Sequence, residues 1–377
     1  MKAKRFLFLL IGISCIFALS QCNKSEFDID PIVPIDPLFD FSSVAFIARI
    51  TNNSADWSLC VMDKSGNNMR KIVDKTVACQ KPVRSNSGTQ LLFTVVKFDY
   101  WVDENNSFNS SSLYELCIVN TDGTGLTIID RIDKSEVGTF GSADWSPDDK
   151  YIIYVKRSGA SLEKHDLILY NISNKTHTIL QTKSNICSPK FSPDGKHIAY
   201  CASTETGHHI YKMDVNGKNS QLIISNGSLP RWSQQSDKIA FISSGIDRSS
   251  QISVADADGS NQKQLTTTVS PGWWDSGFPR GGNSNPQWTP DGKKIVYVSS
   301  ENEREEIFIM NADGSNQTRL TNAQYWDGSP EITPDGKYIL FHSRRSDMME
   351  SGIIMMKLDG SSQKVLSKVG ANPIACR

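Results

Sequence analysis

A chain of 377 residues with 40 Lys and Arg against 41 Asp and Glu carries a formal charge of −1. That balance, with no basic stripe, excludes the electrostatic footprint of a nucleic-acid-binding protein. The eight cysteines contain no Cys-x-x-Cys pair, which weakens a zinc or dithiol-motif reading, and the length is enough to bury a large core in one domain.

The first residues read as a targeting segment. Lys2, Lys4 and Arg5 precede an apolar core from Phe6 to Leu19, too short to span a bilayer comfortably. It ends in Leu19-Ser20-Gln21-Cys22, which resembles a bacterial lipobox with Cys22 as the lipidated residue. Gln21 departs from the small residue usual there, so an ordinary signal peptide cut nearby is the alternative. Residues 1–21 are expected to be the signal peptide. Residues 22–40, with Pro31, Pro34 and Pro37 among acidic residues, are expected to be an extended tether. Asn23 after the Cys is not the acidic residue that retains some lipoproteins at an inner membrane, so a lipid anchor in the outer membrane of a bacterial envelope is expected. No other long apolar stretch occurs, and the body from residue 41 to 377 is expected to be soluble.

That body repeats itself. Ser192-Pro-Asp-Gly-Lys196, Thr289-Pro-Asp-Gly-Lys293 and Thr333-Pro-Asp-Gly-Lys337 are one phrase, and Ser146-Pro-Asp-Asp-Lys150 is a worn copy. Pro fixes the first corner, Asp bonds back to the backbone, and Gly takes a left-handed position. A second phrase interleaves with it: Asn120-Thr-Asp-Gly123, Asp214-Val-Asn-Gly217, Asp256-Ala-Asp-Gly259, Asn311-Ala-Asp-Gly314 and Lys357-Leu-Asp-Gly360. Two turns of four strands per unit predict an all-β single β-propeller. Post-turn strands are expected at Val44–Arg49, Leu91–Val96, Tyr151–Lys156, His197–Ala202, Ile239–Ser243, Ile295–Ser300 and Ile339–Arg344. Seven blades follow, six or eight being the alternatives. The segment from Gly370 looks like a leading strand with nothing after it, and it is expected to complete the first blade.

The unusual residues fall in the loops opposite these turns. Thr266–Ser284 holds Trp273, Trp274, Asp275, Phe278 and Arg280, and the next between-blade loop holds Tyr325, Trp326 and Asp327. Phe98 to Ser112 reads as an insertion with Tyr100 and Trp101. Arg157 and Arg344 begin equivalent within-blade loops. Aromatic rings beside carboxylates and Arg suit a sugar face, a peptide or a protein partner, and an Arg pair suits a uronate. The bland alternative is that these rings pack on one another to close blade junctions. Trp145, Trp232 and Trp288 stand at repeat spacing and are expected in the core.

No metal or cofactor is expected. The six His residues scatter, and adjacent His208 and His209 in a strand face opposite ways. Cys187 and Cys201 lie symmetrically about the Ser192 turn and are the best candidate disulfide, with buried free thiols as the alternative.

The phrases Trp288-Thr-Pro-Asp-Gly-Lys293 and Met310-Asn-Ala-Asp-Gly-Ser315, with Gln317-Thr-Arg-Leu-Thr321, resemble the WD40-like, TolB-type propeller repeat (PD40). The resemblance covers almost all of residues 41–377 and implies the fold, not membership of the Tol–Pal system, since TolB itself has six blades and a further N-terminal domain. The repeat is also similar to the propeller of prolyl oligopeptidases, but the chain lacks Gly-x-Ser-x-Gly. The expected function is a non-catalytic, envelope-anchored propeller that binds an oligosaccharide or an envelope protein through its aromatic loops. A polysaccharide lyase of the oligogalacturonate type and a structural scaffold in an envelope complex are the alternatives.

Overall fold

The Ser/Thr-Pro-Asp-Gly-Lys phrase is a self-contained turn. The Ser192 hydroxyl donates to Asp194 Oδ1 (2.6 Å) and accepts from the His197 amide (2.9 Å), while the Gly195 amide closes on the Ser192 carbonyl (2.8 Å). The copies at Thr289 and Thr333 repeat these bonds. Asp149 in the worn copy, and Ser236 in the degenerate turn Ser233-Gln-Gln-Ser236, take the left-handed place of glycine, at φ 56° and 60°.

The computed structural model describes residues 41–48, 57–76, 81–102, 108–159, 161–244, 249–268, 282–300, 304–322, 325–345 and 351–377. Cys22, the signal peptide and the tether lie outside the described residues. In chain order the strands are β1 (Ser43–Ala48), β2 (Trp57–Asp63), β3 (Arg70–Thr76), β4 (Val83–Arg84), β5 (Gln90–Val102), β6 (Phe108–Asn120), β7 (Thr127–Ile132), β8 (Gly138–Trp145), β9 (Tyr151–Ser158), β10 (Lys164–Asn171), β11 (Thr176–Lys183), β12 (Ile186–Phe191), β13 (His197–Thr204) and β14 (Gly207–Asp214). They continue with β15 (Gln221–Ile224), β16 (Gly227–Trp232), β17 (Lys238–Ser244), β18 (Ser250–Asp256), β19 (Lys263–Gln264), β20 (Asn283–Trp288), β21 (Lys294–Ser299), β22 (Glu306–Asn311), β23 (Thr318–Arg319), β24 (Asp327–Ile332), β25 (Tyr338–Ser343), β26 (Gly352–Lys357), β27 (Lys364–Ser367) and β28 (Ala371–Cys376).

These strands form seven antiparallel blades of four. Blade 1 is β28-β1-β2-β3, and blade 2 is β4 to β7. Blades 3 to 7 each take the next four strands in order. The propeller closes as expected: β28 pairs β1 with Ser43 opposite Cys376 and Ala45 opposite Ile374. The middle strands are apolar on both faces because each is sandwiched between blades. In β9, Ile152, Ile153, Tyr154 and Val155 are all fully buried.

Two devices stitch blade to blade. The indoles of Trp145, Trp232 and Trp288 donate to the carbonyls of Val83 (3.0 Å), Lys190 (3.2 Å) and Arg231 (3.1 Å), each on the leading strand of the preceding blade. Trp145, expected in the core, is buried there, and Trp232 and Trp288, expected in the core too, are half-buried between blades. The Asp-Gly glycines are the second device, at the rim. A Cβ on Gly217, Gly314 or Gly360 would press on Leu180, Leu265 or Leu320 of the preceding blade, and one on Gly259 would meet the Ile223 carbonyl.

One expectation changes. The segment from Phe98 to Ser112 is not a loop insertion. The two flanking strands simply run on, β5 pairing β6 out to Val102 opposite Phe108. Aromatic and β-branched residues favour that extension, and only residues 103–107 between them lie outside the description.

Candidate functional site

The long loop after blade 5 is rooted in a buried polar network. Its two ends carry Thr266 and Asn283, and β18 supplies Gln251 between them. The Asn283 amide donates to Gln251 Oε1 (3.0 Å) and Thr266 Oγ1 (3.1 Å), and Thr266 Oγ1 donates to Gln251 Oε1 (2.8 Å). Gln251 Nε2 in turn donates to the Thr268 carbonyl (2.7 Å), and the Ile252 amide to Thr266 Oγ1 (2.9 Å). Gln251, Thr266 and Asn283 are almost wholly buried. A buried network of this kind, in which only the Asn283 side-chain oxygen finds no partner among the described residues, fixes the positions where the loop leaves and returns. Trp273, Trp274, Asp275 and Arg280 belong to that loop and lie outside the described residues.

The next junction, between blades 6 and 7, repeats the arrangement with carboxylates. Glu306, Thr321 and Asp327 stand where Gln251, Thr266 and Asn283 stand one blade earlier: Ser299 faces Glu306 as Ser243 faces Gln251, and Asp327 faces Ser343 as Asn283 faces Ser299. The Ile307 amide donates to Thr321 Oγ1 (3.0 Å), the counterpart of the Ile252 bond. Burial raises the Asp327 carboxyl above its ordinary range. The Ser343 and Thr321 hydroxyls and Arg345 oppose that shift, and Glu306 adds to it. Arg319 Nη1 lies 3.7 Å from the fully buried Glu306.

Above this base sits the aromatic loop. Tyr325, Trp326, Asp327 and Arg344 come together. The Arg344 amide donates to the Trp326 carbonyl (3.0 Å), the Asp327 amide to the Glu305 carbonyl (2.9 Å), and the Arg345 guanidinium lies 5.5 Å from the Tyr325 ring centre. The Trp326 side chain is exposed, at 44%, an uncommon position for the largest apolar side chain. Glu305 and His342 flank Gly328: a Cβ there would lie 3.2 Å from Glu305 Oε2 and 3.3 Å from His342 Nε2. Burial raises the Glu305 carboxyl against the pull of Arg344, and burial with Arg344 and Lys81 pushes His342 down to about 4. The junction thus offers an exposed ring, two guanidinium groups and carboxylates of weakened acidity in one place. The sequence pointed to the rings and Arg344. It passed over Glu305, whose neighbours in space are set by the glycine opposite it.

The other expected residues sit elsewhere. Arg157 is on β9, paired with Thr139 and His165, four blades from Arg344 in chain order. Tyr100 and Trp101 are successive residues of β5, opposite Ser110 and Asn109, and their side chains lie outside the description. His208 and His209 are on β14 and His342 on β25. His209 Nε2 lies 2.9 Å from both Thr204 Oγ1 and Thr206 Oγ1, and His208 Nδ1 is 2.7 Å from Ser203 Oγ. Among the described residues no three metal-ligand side chains gather.

A second feature escaped the sequence reading. Where the Pro-Asp-Gly turns converge, a cavity of about 290 Å³ opens among Pro147, Pro193, Pro290 and Pro334. Its wall includes the residue just before the Trp-Ser/Thr or Ile-Thr pair of four turns: Asp144, Arg231, Gln287 and Glu331. A one-residue bulge aims most of these side chains inward. Ser188, Leu229, Asn285 and Ser329 take positive φ, and a proline follows each one. Lys190 pairs with Asp144 at 2.6 Å, and Lys81 reaches across from blade 2 to Glu331 at 2.7 Å. Burial lowers both Lys190 and Arg231, partly offset by those carboxylates. The signal was present in the sequence as a polar residue two places before the Ser or Thr of five turns, charged at all of them but Gln287.

Comparison with known proteins agrees with this architecture. The family described as the TolB beta propeller domain (PD40) matches residues 98–277 and 275–375. The Tol-Pal system protein TolB of Francisella tularensis subsp. mediasiatica (strain FSC147) is 29% identical over 245 residues, 63% of this chain and 52% of that protein. The chain therefore spans about half the length of the curated relatives it matches. Among solved structures, the β-propeller domain of the Trilobed protease from Pyrococcus furiosus superposes with TM-score 0.61 at 11% identity, over 87% of this chain and 93% of that one. An oligogalacturonate lyase in complex with manganese superposes with TM-score 0.59 at 14% identity, over 80% and 83%. At these identities the likeness is one of fold.

Proposed function

The chain belongs to the TolB-type β-propeller family, and from that premise we propose that it is a non-catalytic binding propeller held in the bacterial cell envelope. Cys22 is its lipid attachment and residues 22–40 its tether. Its ligand is an oligosaccharide or an envelope protein, taken at the aromatic loops of the blade 5–7 rim. The observation that carries this reading is the exposed Trp326, set beside Arg344 and Arg345 over a fully buried polar base. An exposed ring on a rigid mount binds with little loss of side-chain freedom, the property of an interface anchor. The relative's printed name, a Tol-Pal system protein, supports an envelope partner.

The lyase reading needs histidines together at the rim. Their dispersal over β14 and β25 lends it no support among the described residues. A scaffold role differs from the main reading only in the partner.

The test is a binding screen with the full-length protein against plant, host and peptidoglycan oligosaccharides, together with a pull-down from envelope extract. Wild type is compared with Trp326→Ala and Arg344→Gln. Loss of a central aromatic anchor costs about 2 kcal/mol or more, roughly a thirtyfold weaker Kd. A ligand bound equally by both variants would move the site away from this rim.

A further inference from the structure

We propose that Cys187 and Cys201 are a modification site, a cross-strand disulfide formed by exchange with an external disulfide and entered through Cys187. The register places them. On the turn side of β12, Phe191 faces Ile198 and Lys190 faces Ala199. The bulge at Ser188, with φ 50°, then shifts the pairing so that Cys187 faces Cys201. Without that bulge Cys187 would face Ala202. The two Sγ atoms lie 2.8 Å apart. Directly opposed residues of an antiparallel pair have Cα atoms about 4.5–5.5 Å apart, inside the span of about 4.4–6.8 Å that a disulfide bridges. The bond therefore forms without backbone movement.

The surroundings assign the roles. Cys187 is half-buried, whereas Cys201 is fully buried. The hydrogen-bonding contact with Cys201 lowers the Cys187 thiol, helped by Ser188 and Arg157 and opposed by burial, while the same contact and burial raise Cys201. The thiolate is the nucleophile, so Cys187 attacks first. It displaces one sulfur of the external disulfide, which leaves as a thiol with the proton Cys187 gave up. His208 Nδ1, 3.9 Å from Cys201 Sγ, is the near acceptor for the Cys201 proton. The Cys201 thiolate then attacks Cys187 Sγ and expels the second thiol. Two protein thiols are oxidised and one external disulfide is reduced to two thiols.

The other described cysteines do not compete. Cys60, Cys117 and Cys376 are buried, and each Sγ donates to the carbonyl two residues before it. Burial pushes Cys117 and Cys376 each up to about 12. An exporting compartment would supply the oxidant, but the chemistry is tested in vitro and stands apart from the binding reading.

Full-length protein is equilibrated with glutathione disulfide, quenched in acid and alkylated, and its tryptic peptides are weighed. The expected product joins peptides 184–190 and 197–212 through Cys187 and Cys201, two mass units below the reduced pair. In Cys201→Ser, Cys187 is expected to trap a glutathione adduct. In Cys187→Ser, Cys201 is expected to react at least about tenfold more slowly. Reduced Cys187 and Cys201 under excess oxidant, or a link from Cys187 to another cysteine, overturns the proposal. Faster adduct formation at Cys201 than at Cys187 overturns the assignment of the entry thiol.

Discussion

His342 makes the propeller sensitive to acid, and the effect has a calculable size. At the matching position β1, β17 and β21 carry Ile47, Ile242 and Val298, so the histidine occupies an apolar slot between blades. Its Nδ1 has no hydrogen-bond partner among the described residues, and Arg344 and Lys81 add repulsion to burial. The charged form is therefore disfavoured, and the folded protein holds His342 neutral down to about 4, against 6.5 for the ordinary side chain. A depressed folded value means full stability above the unfolded value and loss as pH falls toward the folded one. A depression of ~2.5 units at ~1.4 kcal/mol per unit gives a loss of about 3 kcal/mol by pH 4. His342→Val restores the residue of blade 6 and removes the titration. Glu305 and Asp327, both raised by burial, shift stability the opposite way over acid pH. They are present in both proteins and cancel in the difference. The assay is urea unfolding of wild type and His342→Val at pH 7.5, 5.5 and 4. The gap is expected to move by about 3 kcal/mol in favour of the variant as pH falls. A gap that moves by less than about 1 kcal/mol refutes the argument, because the imidazole is then wet and charges freely.

Two further substitutions probe the blade junctions. Asp327→Asn rebuilds at blades 6–7 the amide that Asn283 supplies at blades 5–6, and it is expected to stabilise by about 1–2 kcal/mol at pH 7. Because the folded Asp327 carboxyl is raised, wild type loses stability as pH climbs through its folded value, so the gain should shrink in acid; urea titration at pH 4 and 7 checks both. Gly259→Ala sets a Cβ against the Ile223 carbonyl at φ 86° and is expected to cost about 2–4 kcal/mol, whereas Gly336→Ala, at φ 69° with its nearest atom 3.4 Å away, should cost about 1 kcal/mol. Equal losses in thermal melts of the two would show that the rim glycines carry no packing role.

The features legible in the sequence were those set by local chemistry. Asp194 and Ser192 close their turn within five residues, so the phrase declares itself anywhere in the chain, and counting phrases counts blades. Closure by β28 was legible because a leading strand without followers has one vacancy to fill. The pairing of Cys187 with Cys201 was legible from symmetry about the turn, although it is the bulge at Ser188 that makes the symmetry hold. Features that depend on neighbours in other blades were not legible. Glu305 and His342 both approach residue 328, where a glycine leaves room for them, and the cavity wall takes Asp144, Arg231, Gln287 and Glu331 from four separate blades. The hairpin of β5 and β6 was misread because aromatic residues within an extended pair look the same in sequence as aromatic residues displayed on a loop.

The closing strand also imposes an order on biosynthesis. β1 is among the earliest propeller residues to be made, and its inner partner spans residues 371–376. Until the ribosome delivers that segment, the first blade keeps an unpaired edge and the ring cannot shut, however well the middle blades have formed. The same dependence makes residues 371–376 a quality mark. A chain clipped before it displays the edge of β1, a template for pairing with another chain, and is the form that proteolytic surveillance would be expected to remove first.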